Sequence, residues 1–342
     1  MNLLKKKIPL SYTLVFALAC SAVSFFILQK SSLSHASANE VVDSVTPTNV
    51  SCNYTVARLK GYKYIKPLLN NAPECEAKSL ESVKQEISTL IENEKQSGII
   101  TSASVYLKEL SSDDWTAVNP GEGYLPGSLF KLPVMLTILR MAETDPALLN
   151  KKILYTTQSV VNVKQTYETK SIQSGQSYTV KELLTYMIAY SDNNATQLLN
   201  GIMKPEILIK VFSDLGLTPP KPNAADYLTY TISTRDYSIF MEALYNASYL
   251  TIPASEFATS LLAQCNFKDG LVKGLPDNVK IAHKFGEAGS QQLHQLHETG
   301  IVYLNNTAYL ITVMTKGTDL QKLTQTISEI SKITYARMNK NA

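Results

Sequence analysis

Ser128 and Lys131 stand three positions apart in the stretch PGSLFKLP, residues 126–133, a spacing suited to nucleophilic chemistry. A serine hydroxyl is a weak nucleophile, so it needs a neighbouring base that takes its proton. If Ser128 begins a helix, Lys131 lies one turn later on the same face, and its amine can reach the hydroxyl. The positive end of that helix would stabilise the negative charge that develops when a carbonyl is attacked. The pair predicts acyl transfer, although S-x-x-K alone more often marks a serine N-cap before a surface lysine.

Two later motifs supply groups that such a reaction needs. Ser191-Asp192-Asn193 lies between two helix-like runs, where its serine alone would be explained as an N-cap. Lys284-Phe285-Gly286 lies on a predicted strand ahead of a terminal hairpin. A lysine on an edge strand, followed by a small residue, can hold a substrate carboxylate while an extended ligand pairs with the strand. Each motif is a weak signal alone, but the order, spacing and underlying elements of all three fit one pattern.

That pattern resembles the class A β-lactamase and penicillin-binding-protein superfamily, whose signature is S-x-x-K, then S-D-N, then K-T-G. The resemblance covers about residues 79–337 and extends to TVKELLTYMIAYSDNNATQLL and ETGIVYLNNTAYLITVMTKG. It implies a serine hydrolase that forms an acyl-serine on a β-lactam or a related compound. Two alternatives stay open: a D-Ala-D-Ala-type cell-wall peptidase, and a non-catalytic module that binds wall peptide or a partner protein on the same fold.

The resemblance also implies a role for each matching residue. Ser128 would be the acylated nucleophile, with Lys131 as its base or proton shuttle. Ser191 would relay a proton to the leaving nitrogen, Asn193 would bind the substrate amide, and Lys284 would bind its carboxylate. The backbone N–H groups of Ser128 and of Glu287, the residue after Gly286, would form the oxyanion hole. No cofactor and no metal are expected.

Three departures from the family pattern bear on activity. Phe285 replaces the hydroxyl residue of K-T-G, so one donor to the substrate carboxylate is missing. Residues 216–236, where class A lactamases carry a glutamate that orients the deacylating water, contain none. Asp226 is the best-placed carboxylate there, but it is more typical of a solvated loop. No arginine lies between Arg235 and Arg337 to clamp a carboxylate. Slow lactam turnover or wall-peptide cleavage is therefore favoured over fast lactam hydrolysis.

Two other constellations are weaker. His294, His297 and Glu298 have no third ligand at helical spacing for a metal, and their stretch is predicted to be a polar loop. A Ser-His-Asp triad would use His283, but Ser128 lacks the G-x-S-x-G context of such a nucleophile.

The N-terminal region predicts a membrane anchor followed by a stalk. Lys5, Lys6 and Lys7 precede residues 8–28, which carry no charge and are about long enough to cross a ~30 Å hydrocarbon core. This asymmetry predicts a single-pass anchor, with the lysines inside and the catalytic domain outside the cell membrane. Residues 29–48 are rich in Ser, Ala, Asn and Thr, and predict a flexible stalk. Cys52 and Cys75 are expected to form a disulfide in that oxidising setting, and Cys265 to be a buried thiol.

Composition and element order complete the prediction. With 44% apolar residues, 18% charged residues and a net charge of +3 over 342 residues, the chain is of the globular class without a nucleic-acid partner. Along the chain, the predicted elements come in the order helix, strands, many helices, strands and a final helix. We predict an α+β, β-lactamase-like fold: an antiparallel sheet from both chain ends, flanking helices, an inserted all-helical subdomain and an N-terminal transmembrane helix. The predicted divisions are 1–30 anchor, 31–78 stalk and Cys52/Cys75 segment, and 79–342 catalytic domain, in a monomer.

Overall fold

A computed structural model describes residues 52–156, 166–167, 170–221, 229–290, 292–305 and 307–340. The predicted anchor at 8–28, the predicted stalk at 29–48 and Asp226 lie outside these residues. Within the described part of the chain, no helix combines the length and the apolar character that a membrane span requires.

The central sheet has five antiparallel strands, and its members come from both ends of the fold, as predicted. They are β3 (Ser102–Glu109), β4 (Trp115–Val118), β7 (Lys280–Gly289), β8 (His294–Tyr303) and β9 (Ala308–Gly317). Their order across the sheet is β4-β3-β9-β8-β7, so β7 is an edge strand. The outer edge of β7 is therefore the side on which a ligand can pair with backbone groups.

Two helices from opposite ends of the described chain cover one face of this sheet. Helix α1 spans Glu81–Gln96 and helix α8 spans Leu320–Met338, each with buried apolar residues at helical spacing. Asp319 caps α8 by accepting hydrogen bonds from two backbone N–H groups of the first turn. Helix α1 has no side-chain cap, and the hydroxyl of Ser79 donates to Asp114 at 2.8 Å.

Six helices lie among the described residues of the insertion between β4 and β7. They are α2 (Lys131–Thr144), α3 (Val180–Ala189), α4 (Asn193–Asn200), α5 (Pro205–Asp214), α6 (Thr234–Tyr245) and α7 (Ile252–Leu262). The insertion is not all-helical as predicted, because β5 (Lys152–Leu154) pairs with β6 (Ser177–Thr179) as a small antiparallel ribbon. Helix α2 has almost no polar face, since its residues from Lys131 to Leu139 are all buried. It is therefore the centre of the helical core.

The segment between the two cysteines folds onto the domain as a hairpin of β1 (Tyr54–Arg58) and β2 (Leu68–Pro73). Cys52 and Cys75 form the predicted disulfide, with Cα atoms 5.7 Å apart. Leu59 and Leu69 join the helical core, and the Trp115 indole N–H donates to the Pro73 carbonyl at 2.7 Å. The compact unit accordingly runs from Ser51 to Ala342 and includes this hairpin.

Candidate active site

The nucleophile candidate lies on a tight turn that leads directly into α2. Residues Gly127–Phe130 form a single 3-10 turn, and Ser128 is 6% exposed. Gly127 has a φ of 53°, and a Cβ there would lie 2.2 Å from the Glu287 carbonyl oxygen. Only glycine fits this position, because it tolerates positive φ and leaves room for the neighbouring backbone. The predicted helix start is thus a 3-10 turn pressed against β7.

Three side chains that the sequence analysis missed fix the turn in place. The Tyr237 hydroxyl donates to the Leu129 carbonyl at 2.8 Å. Leu125 is held from both sides, since its N–H donates to the Gln295 side chain at 3.0 Å and its carbonyl accepts from His297 Nε2 at 3.0 Å. These partners are more than a hundred positions away in sequence, so no local pattern could have revealed them.

Lys131 connects the first motif to the second. Its ammonium group donates to the Ser191 carbonyl, to Ser191 Oγ at 3.1 Å and to Asn193 Oδ1 at 2.9 Å. Lys131 is only 4% exposed. Burying a lysine is costly unless hydrogen bonds replace its lost water. The three acceptors on residues 191 and 193 provide that replacement and aim the amine into the site.

Ser191-Asp192-Asn193 forms a rigid bend between α3 and α4. Ser191 is fully buried and has a φ of 57°, a conformation that non-glycine residues rarely adopt. Asp192 supports it by accepting hydrogen bonds at 2.8 Å from the Ser171 hydroxyl and from the backbone N–H groups of Ile172 and Asn194. Asp192, and not Ser191, is therefore the N-cap of α4. It also ties residues 171–172 to the site.

Lys284 approaches the same hydroxyl from β7. Its Nζ donates to Ser191 Oγ at 3.1 Å and to the Phe285 carbonyl at 2.9 Å, and the residue is fully buried. Burial lowers the pKa of Lys284 to about 8, against a smaller opposing effect of Cys265 and Glu298. Ser191 Oγ is therefore the meeting point of two lysines, Lys131 from α2 and Lys284 from the sheet.

The side chain of Phe285 is buried among aromatic residues and does not act as a substitute for a substrate-binding hydroxyl. It is 2% exposed and stacks on Phe267, with ring centroids 4.6 Å apart, and meets Tyr167 edge-on at 6.1 Å. The Lys284 ammonium lies 4.1 Å from the Phe285 ring centroid, within range of a cation–π contact. The departure at this position thus exchanges a polar group for an aromatic cluster that supports β7 from within the core.

Gly286 and Glu287 bring the edge strand against the nucleophile turn. A Cβ at Gly286 would lie 2.6 Å from the Pro126 carbonyl oxygen and 2.7 Å from the Leu129 nitrogen. No other residue type fits there without moving the turn. The Glu287 side chain points elsewhere, accepting hydrogen bonds from the Thr166 N–H at 3.1 Å and hydroxyl at 3.0 Å.

The histidine cluster has a structural role, and the predicted polar loop at residues 294–298 is wrong. These residues form the first half of β8, with His297 and Glu298 fully buried. Glu298 lies 2.6 Å from His283 Nδ1 and accepts from the Leu271 N–H at 2.7 Å. His297 accepts from the Thr315 N–H, and burial lowers its pKa to about 4, so it is neutral. Among the described residues, no group of three or more metal-ligating side chains is found.

Cys265 is a buried free thiol, as predicted. Its thiol is hydrogen-bonded to the side chain of His283. Although burial opposes a charged imidazole, Cys265 and Glu298 raise the pKa of His283 to about 10. His283 therefore belongs to a buried charge cluster with Glu298 and does not serve as partner to Ser128.

This fold, with its three motifs converging at one end of an edge strand, defines the superfamily of serine β-lactamases and penicillin-binding proteins. A mutant of PBP-A, solved as an acyl-enzyme complex with penicillin G, matches with a TM-score of 0.62 at 20% identity, over 76% of this chain and 97% of that one. A β-lactamase from Chitinophaga pinensis matches with a TM-score of 0.66 at 19% identity, over 75% of this chain and all of that one. A class A β-lactamase from Mycobacterium abscessus matches with a TM-score of 0.62 at 19% identity, over 75% of this chain and 99% of that one.

At these identities the structural likeness establishes the fold. A search of curated proteins finds no match. The model of the Beta-lactamase enzyme family matches residues 82–338, which is most of the chain. The chain therefore belongs to this family.

Proposed function

We propose that this protein is a serine hydrolase that transfers the acyl group of a β-lactam or a related peptide amide to Ser128. The observation that carries the proposal is the meeting of Lys131 and Lys284 at Ser191 Oγ. A hydroxyl held by two ammonium groups is a good proton donor, because loss of its proton is stabilised by both. Such a group is what departure of an amine requires.

In the proposed reaction, each proton has a defined donor and acceptor. Lys131, in its neutral form, takes the Ser128 hydroxyl proton while Oγ attacks the substrate carbonyl carbon. The carbon–nitrogen bond then breaks, and the leaving nitrogen receives a proton from Ser191, which Lys131 replenishes. Asn193 would bind the substrate amide, and Lys284 would supply the positive charge for its carboxylate. The ester formed at Ser128 and the N–H bond formed on the amine balance the broken carbon–nitrogen bond. The amine leaves when the substrate is a peptide and stays attached through the opened ring when it is a β-lactam.

The backbone geometry supports an oxyanion hole between the turn and β7. The Glu287 carbonyl points at Gly127, away from β8, as the 2.2 Å distance to a Cβ at Gly127 requires. Because the N–H and C=O groups of one strand residue point to the same side, the Glu287 N–H also points toward the turn. Together with the Ser128 N–H, it would form the pair of donors that stabilises a tetrahedral intermediate.

The acyl-enzyme is proposed to be long-lived. Residues 216–236 contain no glutamate that would activate water against the ester. A mutant of PBP-A was solved as an acyl-enzyme complex with penicillin G, so a protein of this fold can be trapped in that state. We therefore favour a penicillin-binding peptidase or a slow lactamase over a fast lactamase.

A comparison of two products distinguishes a peptide substrate from a β-lactam substrate. Release of D-Ala from an acyl-D-Ala-D-Ala peptide and ring-opening of benzylpenicillin would be followed side by side for the wild type and Ser128→Ala. Peptide cleavage with sub-stoichiometric ring-opening supports a peptidase, and many ring-opening turnovers support a lactamase. If neither product forms, or if Ser128→Ala makes product at the wild-type rate, the proposal is wrong.

We also propose that the protein is a monomer attached to the cell membrane, with its catalytic domain outside. The support is the sequence alone: three lysines at 5–7 ahead of the uncharged residues 8–28. Retention in the membrane pellet after carbonate extraction, with protease access to the catalytic domain in intact cells, is the expected result. Release into the supernatant would contradict the anchor.

A further inference from the structure

The β1–β2 hairpin and the loop that joins its strands carry an unusual concentration of exposed apolar side chains. Of the ten large hydrophobic side chains exposed in the described part of the chain, six lie between residues 54 and 68. They are Tyr54, Val56, Tyr62, Tyr64, Ile65 and Leu68, with Tyr64 85% exposed. Scattered exposed apolar residues need no explanation, whereas a concentrated patch indicates a contact surface.

The fold explains how this patch arises. Leu59 and Leu69 point inward and fill the helical core, which leaves the opposite face of the hairpin in solvent. On β1, Tyr54 and Val56 alternate along that outer face, and Leu68 pairs with Arg58 across the ladder. A two-stranded sheet with one solvated face normally carries polar residues there. The solvated face of this hairpin instead carries Tyr54 and Val56, with Asn71 opposite Val56.

The same segment carries only positive charge. Arg58, Lys60, Lys63 and Lys66 are exposed, and no acidic residue lies between residues 54 and 73. The Arg58 guanidinium donates to the Lys66 carbonyl at 2.7 Å and thereby closes the base of the loop. Lys63 Nζ lies 5.0 Å from the Tyr64 ring centroid, so the tip presents cations and aromatic rings side by side.

We propose that the loop at residues 60–66, which we call the hairpin tip, binds the surface of an anionic phospholipid bilayer. Each lysine near such a surface is attracted by its negative charge. Tyrosine rings favour the interface between headgroups and hydrocarbon, and Ile65 can enter the acyl region. A soluble polyanion would use the lysines but would leave Tyr64 and Ile65 without a partner. The combination therefore favours lipid over an anionic polymer.

The consequence is that the hairpin orients the catalytic domain against the membrane. The hairpin follows the proposed anchor in sequence, so both would act on the same bilayer. The contact itself does not rest on the anchor or on the proposed hydrolase activity, since it needs only the charges and apolar residues of the hairpin tip. The domain would be held by two points of contact, one of which depends on lipid charge.

The test uses the full-length chain with Tyr64→Trp, reconstituted in vesicles whose lipids carry bromine in the acyl chains. Bromine quenches tryptophan fluorescence only at short range, and the unsubstituted chain, with buried Trp115, supplies the background. We expect strong quenching in vesicles with phosphatidylglycerol and at least threefold less in vesicles of phosphatidylcholine alone. High salt should reduce the quenching in anionic vesicles, because it screens the lysines.

Matched charge variants complete the design, each made in the Tyr64→Trp chain. Lys60→Gln, Lys63→Gln and Lys66→Gln together should lower quenching in anionic vesicles to the phosphatidylcholine level. Lys151→Gln, Lys204→Gln and Lys273→Gln, which remove the same charge from other exposed positions, should leave it unchanged. Thermal unfolding and penicillin acylation, measured in parallel, show whether each variant folds.

Three results would overturn the proposal. One is no quenching above background in anionic vesicles, and another is equal quenching in anionic and neutral vesicles. The third is that soluble polyglycerol phosphate binds through Lys60, Lys63 and Lys66 while vesicles do not, which would assign the hairpin tip to an anionic polymer. Loss of penicillin acylation in every chain, with quenching intact, would contradict the hydrolase proposal but not this one.

Discussion

Lys284 Nζ lies 3.1 Å from Ser191 Oγ, and this distance joins the sheet to the helical insertion inside the candidate site. Lys131 reaches the same oxygen at the same distance from α2. The serine hydroxyl is thus fixed by charges from two separate parts of the fold. Under the proposed mechanism, a shift of either part would change the position of the proton that Ser191 gives to the leaving nitrogen.

The first prediction concerns pH. Because burial lowers the pKa of Lys284 to about 8, its charge is present below pH 8 and is lost as the pH rises through that value. The rate constant for acylation by benzylpenicillin should therefore fall above pH 8, approaching about tenfold per pH unit. Lys284→Arg should abolish this alkaline decline, since arginine stays charged.

Unfolding does not account for that decline. The folded-state pKa of Lys284 is below the usual 10.5, so the unfolded chain binds more protons between about pH 8 and 10.5. The contribution of Lys284 to stability consequently rises with pH in this window. A flat acylation profile from pH 7 to 9.5 in the wild type, or an unchanged alkaline decline in Lys284→Arg, would contradict the proposed role.

The second prediction concerns the contact between β7 and the nucleophile turn. Gly286→Ala should cost about 1–3 kcal/mol of stability, because the new Cβ meets backbone atoms of Pro126 and Leu129. Displacing the turn should slow acylation by about a hundredfold. Gly121→Ala is the matched control, since a Cβ there has no atom within 4 Å. Equal acylation rates for the two variants would show that the close approach is unimportant.

The third prediction concerns the buried pair of Glu298 and His283. Glu298→Gln should lower the free energy of unfolding by about 3 kcal/mol, because it leaves a buried imidazole without its carboxylate. The control is Glu329→Gln, which removes an exposed carboxylate 4.0 Å from Lys332 and should cost less than about 0.5 kcal/mol. Chemical denaturation measures both, and similar losses in the two variants would refute the prediction.

The fourth prediction concerns the disulfide. Cys52 and Cys75 are 23 positions apart, a loop for which cross-linking stabilises the folded state by about 3 kcal/mol. Reductant should lower the melting temperature of the wild type but not that of a Cys52→Ser, Cys75→Ser double variant. Alkylation before and after reduction, read by intact mass, should reveal two additional reactive thiols. An unchanged mass would mean that the bond is absent.

The sequence predicts the site residues better than it predicts their supports. Ser128, Lys131 and Ser191 are recognisable because their chemistry requires particular side chains at characteristic spacings. Tyr237 and Gln295 are not, since any residue that reaches the turn with a suitable hydrogen-bonding group would serve. Phe285 shows the limit clearly: the sequence reveals a missing hydroxyl, while only the structure shows the aromatic cluster with Phe267 and Tyr167.

The same distinction holds for the fold. Element order predicts a sheet built from both chain ends, because alternating apolar patterns return after a long helical run. It misses the ribbon of β5 and β6, whose three-residue strands are too short to give a periodic signal. It also assigns residues 294–298 to a loop, because buried His297 and Glu298 look like surface residues until their partners are known.

The most direct test of the central claim is a time course of intact mass with benzylpenicillin. We predict a stoichiometric increase by the mass of one penicillin in the wild type, lasting long enough to be isolated, and no increase in Ser128→Ala. The absence of both an adduct and ring-opened product in the wild type would contradict the claim that Ser128 is the nucleophile, and so would an adduct that persists in Ser128→Ala.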